Sequence, residues 1–457
     1  MVEVGATAAV AQFVSGTSVE AIPDEVLHEA KRTLINVLAV GLSASVDSSV
    51  GVLESWDGGA SSRNASDGGV ASVIGRGRVG IERAALLNGY MAHLQDYDDT
   101  HFPTILHPSA PTWPAALAAA EQRNASGLET LAAFAVGGEV ACRMAMSVYP
   151  WHYDAGWHIT GTVGVLGAVA AAARVLGVPW EVGEQALGLA GTHAAGVRET
   201  FGTNGKPLHA GHSAAGGLRA AYLASAGFTG PPAFMEGRRG FWAVHSPDGH
   251  DAGWVERIGA AGERWELLNN GLKAFANGIV SQPLQDAVIQ LRNAHDLKAA
   301  QVIAIEALVH PLVLELMNRP DPHVGLEGKF SHQHCAATAL VDGAGHDAQF
   351  SDARVRDPEI VALRSKVRAT VHESVREDEV HVTIRLESGD EHSIHIEHAM
   401  GSPENPMTDA QLETKFSTLA NEVIGAEQAG ALLEAAWKLD EAPSVTSLLA
   451  LARGAAR

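Results

Sequence analysis

The feature that most constrains the fold is a series of long segments built almost entirely from small residues. GLETLAAFAVGGEVACRMAMSV (127–148), ITGTVGVLGAVAAAARVLG (159–177) and SAAGGLRAAYLASAG (213–227) place Ala and Gly where most helices place Leu. Side chains this small let helix backbones approach closely, so these stretches predict a tightly packed helical bundle rather than a sandwich of sheets. Aromatic residues make up only 5% of the chain, which fits that reading.

Flanking segments extend the pattern. Residues 18–45 read as an amphipathic helix with acids early and an apolar second half. IERAALLNGYMAHL (81–94), PTWPAALAAAEQR (111–123) and VGEQALGLAGTHAAG (182–196) read as further helices, and ASVIG (71–75) as a short strand. SWDGGASSRNASDGG (55–69) is a loop by composition. Beyond about residue 267 the pattern changes. AAQVIAIEALVHPLVLEL (299–316) carries β-branched alternation, and EVHVTIRLESGDEHSIHIEHA (379–399) reads as a hairpin turning at ESGDE. After about residue 406 the chain is helical again. The expected architecture is mainly α: a helical domain over 1–267, an α+β lid over 268–399, and C-terminal helices over 400–457 returning to the first domain.

The bulk numbers narrow the function. With 457 residues the chain can build two or three domains' worth of core. Thirty-two basic against 53 acidic side chains give a formal charge of −21, which repels phosphate backbones and anionic bilayers. No nucleic-acid or membrane partner is expected. Cys142 and Cys335 form no CxxC pair, so the reading is a reduced, cytoplasmic protein without a disulfide framework or zinc knuckle. The N-terminus lacks a basic n-region and carries Glu3, unlike a signal peptide. The apolar run 161–173 reads as a buried helix too short to span a bilayer.

HLQDYDDTHFPTILHPSAP (93–111) concentrates three aspartates and three histidines in a chain otherwise poor in charge. Such a cluster can bind a metal, move protons, or cap local backbone. Its spacing matches no known metal site. WHYDAGWHITGTVG (151–164) places His158 before a glycine-rich helix start. NGKPLHAGHSAAGG (204–217) places Lys206, His209 and His212 in a loop, and LKAFANG (272–278) isolates Lys273 among apolar neighbours. Both lysines sit where partial burial can tune an ammonium. GRGRVG (75–80) matches GxGxxG, but no βαβ unit follows, so it reads as a glycine-rich loop. There is no P-loop, HExxH, GxSxG or EF-hand spacing.

Taken in order, AALLNGYMAHLQDYDDTH, LHPSAPTWPAALAAAE, GGEVACR, GWHITGTVG, GKPLHAGHSAAGGLRAAYLASAGFTGP, EGRRGF, GLEGKFS and MGSPENPM followed by KF resemble the MmgE/PrpD family. This family includes 2-methylcitrate dehydratase, cis-aconitate decarboxylase and iminodisuccinate epimerase. The resemblance implies a helical domain with an α+β lid, a homodimer, a small di- or tricarboxylate substrate, and neither metal nor organic cofactor. It implies Asp96, His107, His158, Lys206 and Lys273 as catalytic residues. Thr100, His101, Arg198, Arg238 and His334 follow as substrate-binding candidates.

The chain departs from the family pattern near the lid. It reads KAFA (273–276) for the common KPYP, SQP (281–283) for Thr-His-Pro, and His334 at the tyrosine position of FSxxY. The family's reactions share carbanion character next to a carboxylate, which needs a base, an acid and cations to hold developing charge. The expected roles are His158 as base, His107 as acid, Asp96 as orienting group, and Lys206 and Lys273 as carboxylate clamps. A lyase is the leading expectation. An epimerase or isomerase using His334 as a second proton donor is the alternative, and a non-catalytic carboxylate-binding protein is the alternative of another class.

Overall fold

A computed structural model of the chain describes residues 5–56 and 70–454. The loop expected at 55–69 lies almost wholly outside the described residues. Helices longer than ten residues are α1 (Ala6–Gly16), α2 (Asp24–Ala44), α3 (Ile81–Leu94), α4 (Ser109–Arg123), α5 (Gly127–Val148), α6 (Gly164–Leu176), α7 (Trp180–Ala190) and α8 (Gly205–Ser225). In the C-terminal part they are α9 (Gln282–His295), α10 (His332–Asp342), α11 (Asp409–Ile424) and α12 (Ala426–Trp437).

Small residues shape the bundle. Helix α8 packs against α3, α4, α6 and α7, and α6 packs against α4 and α5. A β-carbon on Gly89 of α3 would lie 2.9 Å from the Cα of Gly211 on α8, and one on Gly137 of α5 would lie 2.7 Å from the Gly167 carbonyl on α6. These backbones touch, and no side chain fits between them. The helical stretch Ile159–Leu176 starts earlier and ends later than the apolar run that marked it. With 18 residues it is long and apolar enough to cross a bilayer, as is α5; 83% and 94% of their windows are buried inside the protein. The expectation that this run is too short is therefore corrected; burial within the bundle accounts for its composition.

GRGRVG spans the turn and the second strand of a small hairpin of β1 (Ala71–Ser72) and β2 (Arg78–Val79). The Gly75 amide donates to Ala452, pinning the turn to the C-terminus. This is the glycine-rich loop expected, not a dinucleotide turn.

The C-terminal part carries a four-stranded sheet of β5 (Val302–Val309), β6 (Val367–Val371), β7 (Val380–Leu386) and β8 (Glu391–Ile396) in the order β6-β5-β7-β8. Only the β5–β6 pair is parallel. Val380, Val382, Ile384 and Leu386 point inward while His381 and Arg385 point out, the alternation that predicted the hairpin. Helix α9 covers this sheet, and α10 packs on α9. Helix α11 begins with a Thr408–Gln411 capping box and returns to pack on α2.

Two further strands matter for the site. β3 (Asp99–His101) pairs antiparallel with β4 (Asn270–Leu272), so the acidic stretch of the helical part meets the segment that leads into the C-terminal α+β part. Lys206, His209 and His212 lie on the first turns of α8, not in a loop before it. Gly205 and Pro207 made this segment read as a loop, yet a helix's first turn tolerates proline because its amide has no partner there.

Candidate active site

The site is assembled where α3 ends. His93 sits on its last turn, and Asp96 follows with φ +51°, a left-handed conformation that Asp tolerates better than most residues. The β3–β4 ladder then delivers Lys273, and the first turn of α8 delivers Lys206. Asp96 Oδ1 accepts from Lys206 Nζ at 2.8 Å and from Lys273 Nζ at 2.6 Å. Lys273 Nζ also donates to the Asp96 carbonyl at 3.2 Å. Burial pushes the Asp96 carboxyl up, but the two lysines together hold it well below the usual carboxylate range. Burial lowers the Lys206 ammonium, and Asp96 offsets part of that shift. An ammonium has three N–H donors. Lys206 uses one here and Lys273 two, so both keep a donor for a ligand.

Two more buried lysines brace this arrangement from behind. Lys329 Nζ donates to the carbonyls of Gln95 (2.8 Å) and Ala276 (3.1 Å), and Lys415 Nζ to those of Tyr97 (2.8 Å) and Lys273 (2.9 Å). The backbone on both sides of Asp96 is thus tied to the Lys273–Ala276 segment.

Three imidazoles gather beside the aspartate. His93 Nδ1 lies 2.7 Å from Asp98 Oδ2. Burial disfavours the imidazolium of His93, with Asp98 opposing. Burial raises the Asp98 carboxyl, but His93 and His107 outweigh it and keep it below the usual range. His107 Nδ1 lies 2.7 Å from the Asp99 carbonyl. A carbonyl only accepts, so His107 carries its hydrogen on Nδ1. Burial holds this ring well below the ordinary histidine range, hence neutral, with an unprotonated Nε2. His158 Nδ1 lies 2.9 Å from His209 Nδ1, while its Nε2 is buried with no partner among the described residues. Burial also keeps His158 neutral. The His93 ring stacks on His158 at 5.6 Å and tilts against His107 at 4.6 Å.

These groups line one cavity of about 30 Å3, bounded by Asp96, His107, His158, Lys206 and Lys273 with an apolar wall that includes Phe201, Met317 and Phe330. Lys206 Nζ lies 5.3 and 5.1 Å from the Phe201 and Phe330 ring centres. Ile105, also in the wall, has φ +61°. A β-branched residue held there costs on the order of 1–3 kcal/mol, strain of the kind that gathers at functional sites.

The five residues expected to be catalytic therefore meet in one place. The substrate-binding candidates do not. Thr100 and His101 are buried behind the cavity: Thr100 Oγ1 lies 3.3 Å from His107 Nδ1, and His101 lies 2.8 Å from Thr104 Oγ1 and 3.5 Å from Glu266. Arg198 stacks on Tyr153 and pairs with Glu315 at 2.5 Å, one layer outside the wall. Arg238 is exposed, away from the cavity. His334 bonds the Gln349 carbonyl at 2.9 Å and packs on Phe350. Its position on the first turn of α10 turns it away from the cavity, which corrects its expected role as a second proton donor.

Comparison with known proteins adds a second line. The MmgE/PrpD N-terminal domain profile matches residues 8–252, and the MmgE/PrpD C-terminal domain profile matches residues 275–441. The chain belongs to the MmgE/PrpD family. Membership together with its curated relatives indicates a lyase of the dehydratase or decarboxylase kind. It is 25% identical to the cis-aconitate decarboxylase of Homo sapiens, over 98% of this chain and 94% of the relative. It is 26% identical to that of Aspergillus terreus (98% and 96%), and 28% identical to a cis-aconitate decarboxylase-like protein of Aspergillus oryzae (98% and 97%).

Within this MmgE/PrpD site, His93, Asp96, Asp98 and His107 place potential ligand atoms within 4.8 Å of one another. Asp96 already holds two ammonium groups on one oxygen, so a dication would be set against both lysines. Two other groups, Glu379/His381/His395 and Asp378/His398/Glu404, lie on the surface of the C-terminal α+β part. His93, Asp98 and His209 carried no assigned role in the sequence, although all three sit inside the quoted motifs. Lys329 and Lys415 sit in GLEGKFS and the late KF, where the resemblance had flagged the motif but not the lysine.

Proposed function

We infer that this MmgE/PrpD protein is a cofactor-independent decarboxylase of a small di- or tricarboxylate of the cis-aconitate type. One observation carries the reading: two buried ammonium groups share a single carboxylate oxygen beside unpartnered imidazole nitrogens in one narrow cavity. Full-length similarity to proteins named cis-aconitate decarboxylase supports the substrate class.

Loss of CO2 leaves an electron pair on carbon, delocalised toward a neighbouring carboxylate. Lys206 and Lys273 supply the positive charge that stabilises it, using the donors Asp96 leaves free. Burial lowers the Lys206 ammonium, and Asp96 opposes that shift. A proton must then reach carbon. Neutral His107 has its hydrogen committed to the Asp99 carbonyl, so its Nε2 accepts rather than donates. Neutral His158 can carry its hydrogen on Nε2, because His209 can supply Nδ1. The geometry thus favours His158 as the proton donor and His107 as the acceptor, the reverse of the roles expected from the sequence. With His334 outside the cavity, the epimerase alternative loses the residue that favoured it.

A cavity of about 30 Å3 holds one or two waters and no tricarboxylate. The wall of Gly278–Val280, Leu316, Met317 and Phe330 must move back to admit substrate. The test is turnover by chelator-treated protein of cis-aconitate, citrate, 2-methylcitrate, tartrate and iminodisuccinate, with products identified by proton NMR. Decarboxylation of an unsaturated tricarboxylate, lost in His158→Ala and Lys206→Ala proteins that still melt cooperatively, is the expected result. Dehydration or inversion as the only activity, or rates near wild type in both variants, would overturn it.

A further inference from the structure

His158 is the cavity's proton donor in the reading above, yet its Nε2 is shut off from water when the wall is closed. Each CO2 released must be replaced by one proton on carbon. A neutral imidazole that gives up its Nε2 proton is left as an anion unless a second proton reaches its Nδ1, so the buried site needs a path from solvent to that nitrogen.

The structure holds one. His158 Nδ1 lies 2.9 Å from Nδ1 of His209, a residue of α8 one turn beyond Lys206. His209 is partly buried, and its Nε2 has no protein partner among the described residues. Two bare backbone positions make room for it. A β-carbon on Gly196, whose φ is +123°, would lie 2.7 Å from His209 Nδ1, and one on Gly161 would lie 3.1 Å from His209 Cβ. Gly196 also fixes the other ring, since its carbonyl accepts the His158 amide at 3.0 Å. Any side chain at Gly196 would push the two imidazoles apart.

We propose that His209 is a proton relay that joins His158 to solvent through the paired Nδ1 atoms. The proposal rests on the reading of His158 as donor. Before reaction, His209 Nδ1–H donates to His158 Nδ1, and His158 carries its own hydrogen on Nε2. The bond to the leaving carboxylate breaks, CO2 departs, and the electron pair stays on the substrate. The Nε2 proton of His158 forms the new C–H bond. The His209 Nδ1 proton moves to His158 Nδ1, and His209 Nε2 takes one proton from solvent. One proton enters per CO2 lost, and both rings begin and end neutral. After product leaves, water admitted to the open cavity protonates His158 Nε2, and the pair shifts back as His209 releases a proton outside. Burial holds His209 down to about 4, so it is neutral at physiological pH, as the relay requires.

His209→Gln tests it. Glutamine can keep a hydrogen bond to His158 Nδ1 but cannot pass a proton through itself. The relay predicts at least a tenfold fall in kcat with KM within twofold, and recovery of rate with added imidazole. Wild-type kcat, or a loss that imidazole does not restore, would overturn it. His209→Asn serves the same purpose if the glutamine variant does not fold. A second measurement needs no substrate. Nitrogen-15 NMR of the wild-type protein at neutral pH should show coupling between the two Nδ1 nuclei, with both tautomers populated. Absent coupling, or one fixed tautomer, would overturn the relay even if the protein proves to act on another acid. Coupling together with no decarboxylation would instead leave the relay standing and overturn the substrate reading.

Discussion

Lys273 Nζ and Asp96 Oδ1 lie 2.6 Å apart, and both side chains are sealed from solvent. Asp96 accepts a second ammonium from Lys206 on the same oxygen. An arrangement with two cations on one anion leaves an excess of positive charge at the cavity, in a protein whose overall charge is −21. An anionic substrate is drawn into a pocket whose two ammonium groups oppose the sign of the whole chain.

Lys273→Met tests that relationship. It removes one donor for developing negative charge and leaves Lys206 to hold Asp96. Loss of a preorganised donor of this kind costs on the order of 100-fold in kcat. Breaking one side of a buried pair also destabilises by about 3–5 kcal/mol where no other partner remains. Because Lys206 remains, the melting temperature should fall less than in Asp96→Asn, which leaves two ammonium groups unpaired. Steady-state kinetics and thermal melts of both variants check the ranking.

Lys415→Met addresses the bracing. Lys415 touches no cavity atom but ties the Tyr97 carbonyl to the Lys273 carbonyl. The variant should lose about 1–3 kcal/mol of stability, as expected when buried acceptors lose their donor. It should also lose kcat, by roughly tenfold, because Asp96 and Lys273 are no longer held in register. Unchanged kcat in a destabilised protein would show that the brace is structural only.

His334→Gln should leave kcat within about threefold of wild type. The side chain bonds the Gln349 carbonyl, which an amide NH2 can also reach, and it lies off the cavity. A loss above 100-fold would return His334 to the proton-transfer machinery.

Acid should unfold the protein through its buried histidines. Burial holds His152, His332 and His334 each near 4, against an ordinary value of 6.5. The unfolded chain therefore binds more protons between pH 6.5 and 4. Stability these groups confer is complete above about pH 6.5 and is lost as pH falls toward 4. Urea unfolding at pH 7, 6, 5 and 4 should show a decline of several kcal/mol in all. A flat profile would show that these rings are not held neutral.

Much of this was readable from the chain. The boundaries Ile81–Leu94 and Gly127–Val148 are those the runs of small and apolar residues predict. The hairpin of β7 and β8 follows from strict alternation around a polar turn. Asp96, His107, His158, Lys206 and Lys273 were found through ordered motifs, and they converge. What local pattern missed depends on distance and direction. Lys415 acts on a carbonyl 318 positions away, and Lys329 on one 234 positions away. Thr100 and His101 neighbour the key aspartate in sequence, but β3 pairing with β4 sets them behind the cavity. His209 was hidden because glycine and proline made a helix's first turn look like a loop.

The most direct single measurement is the reaction of wild-type protein with cis-aconitate in D2O, followed by proton and carbon NMR. The account predicts release of one CO2 per turnover and a product with one deuterium on carbon, beside a remaining carboxylate. Unchanged cis-aconitate, or a product formed without deuterium on carbon, would contradict it.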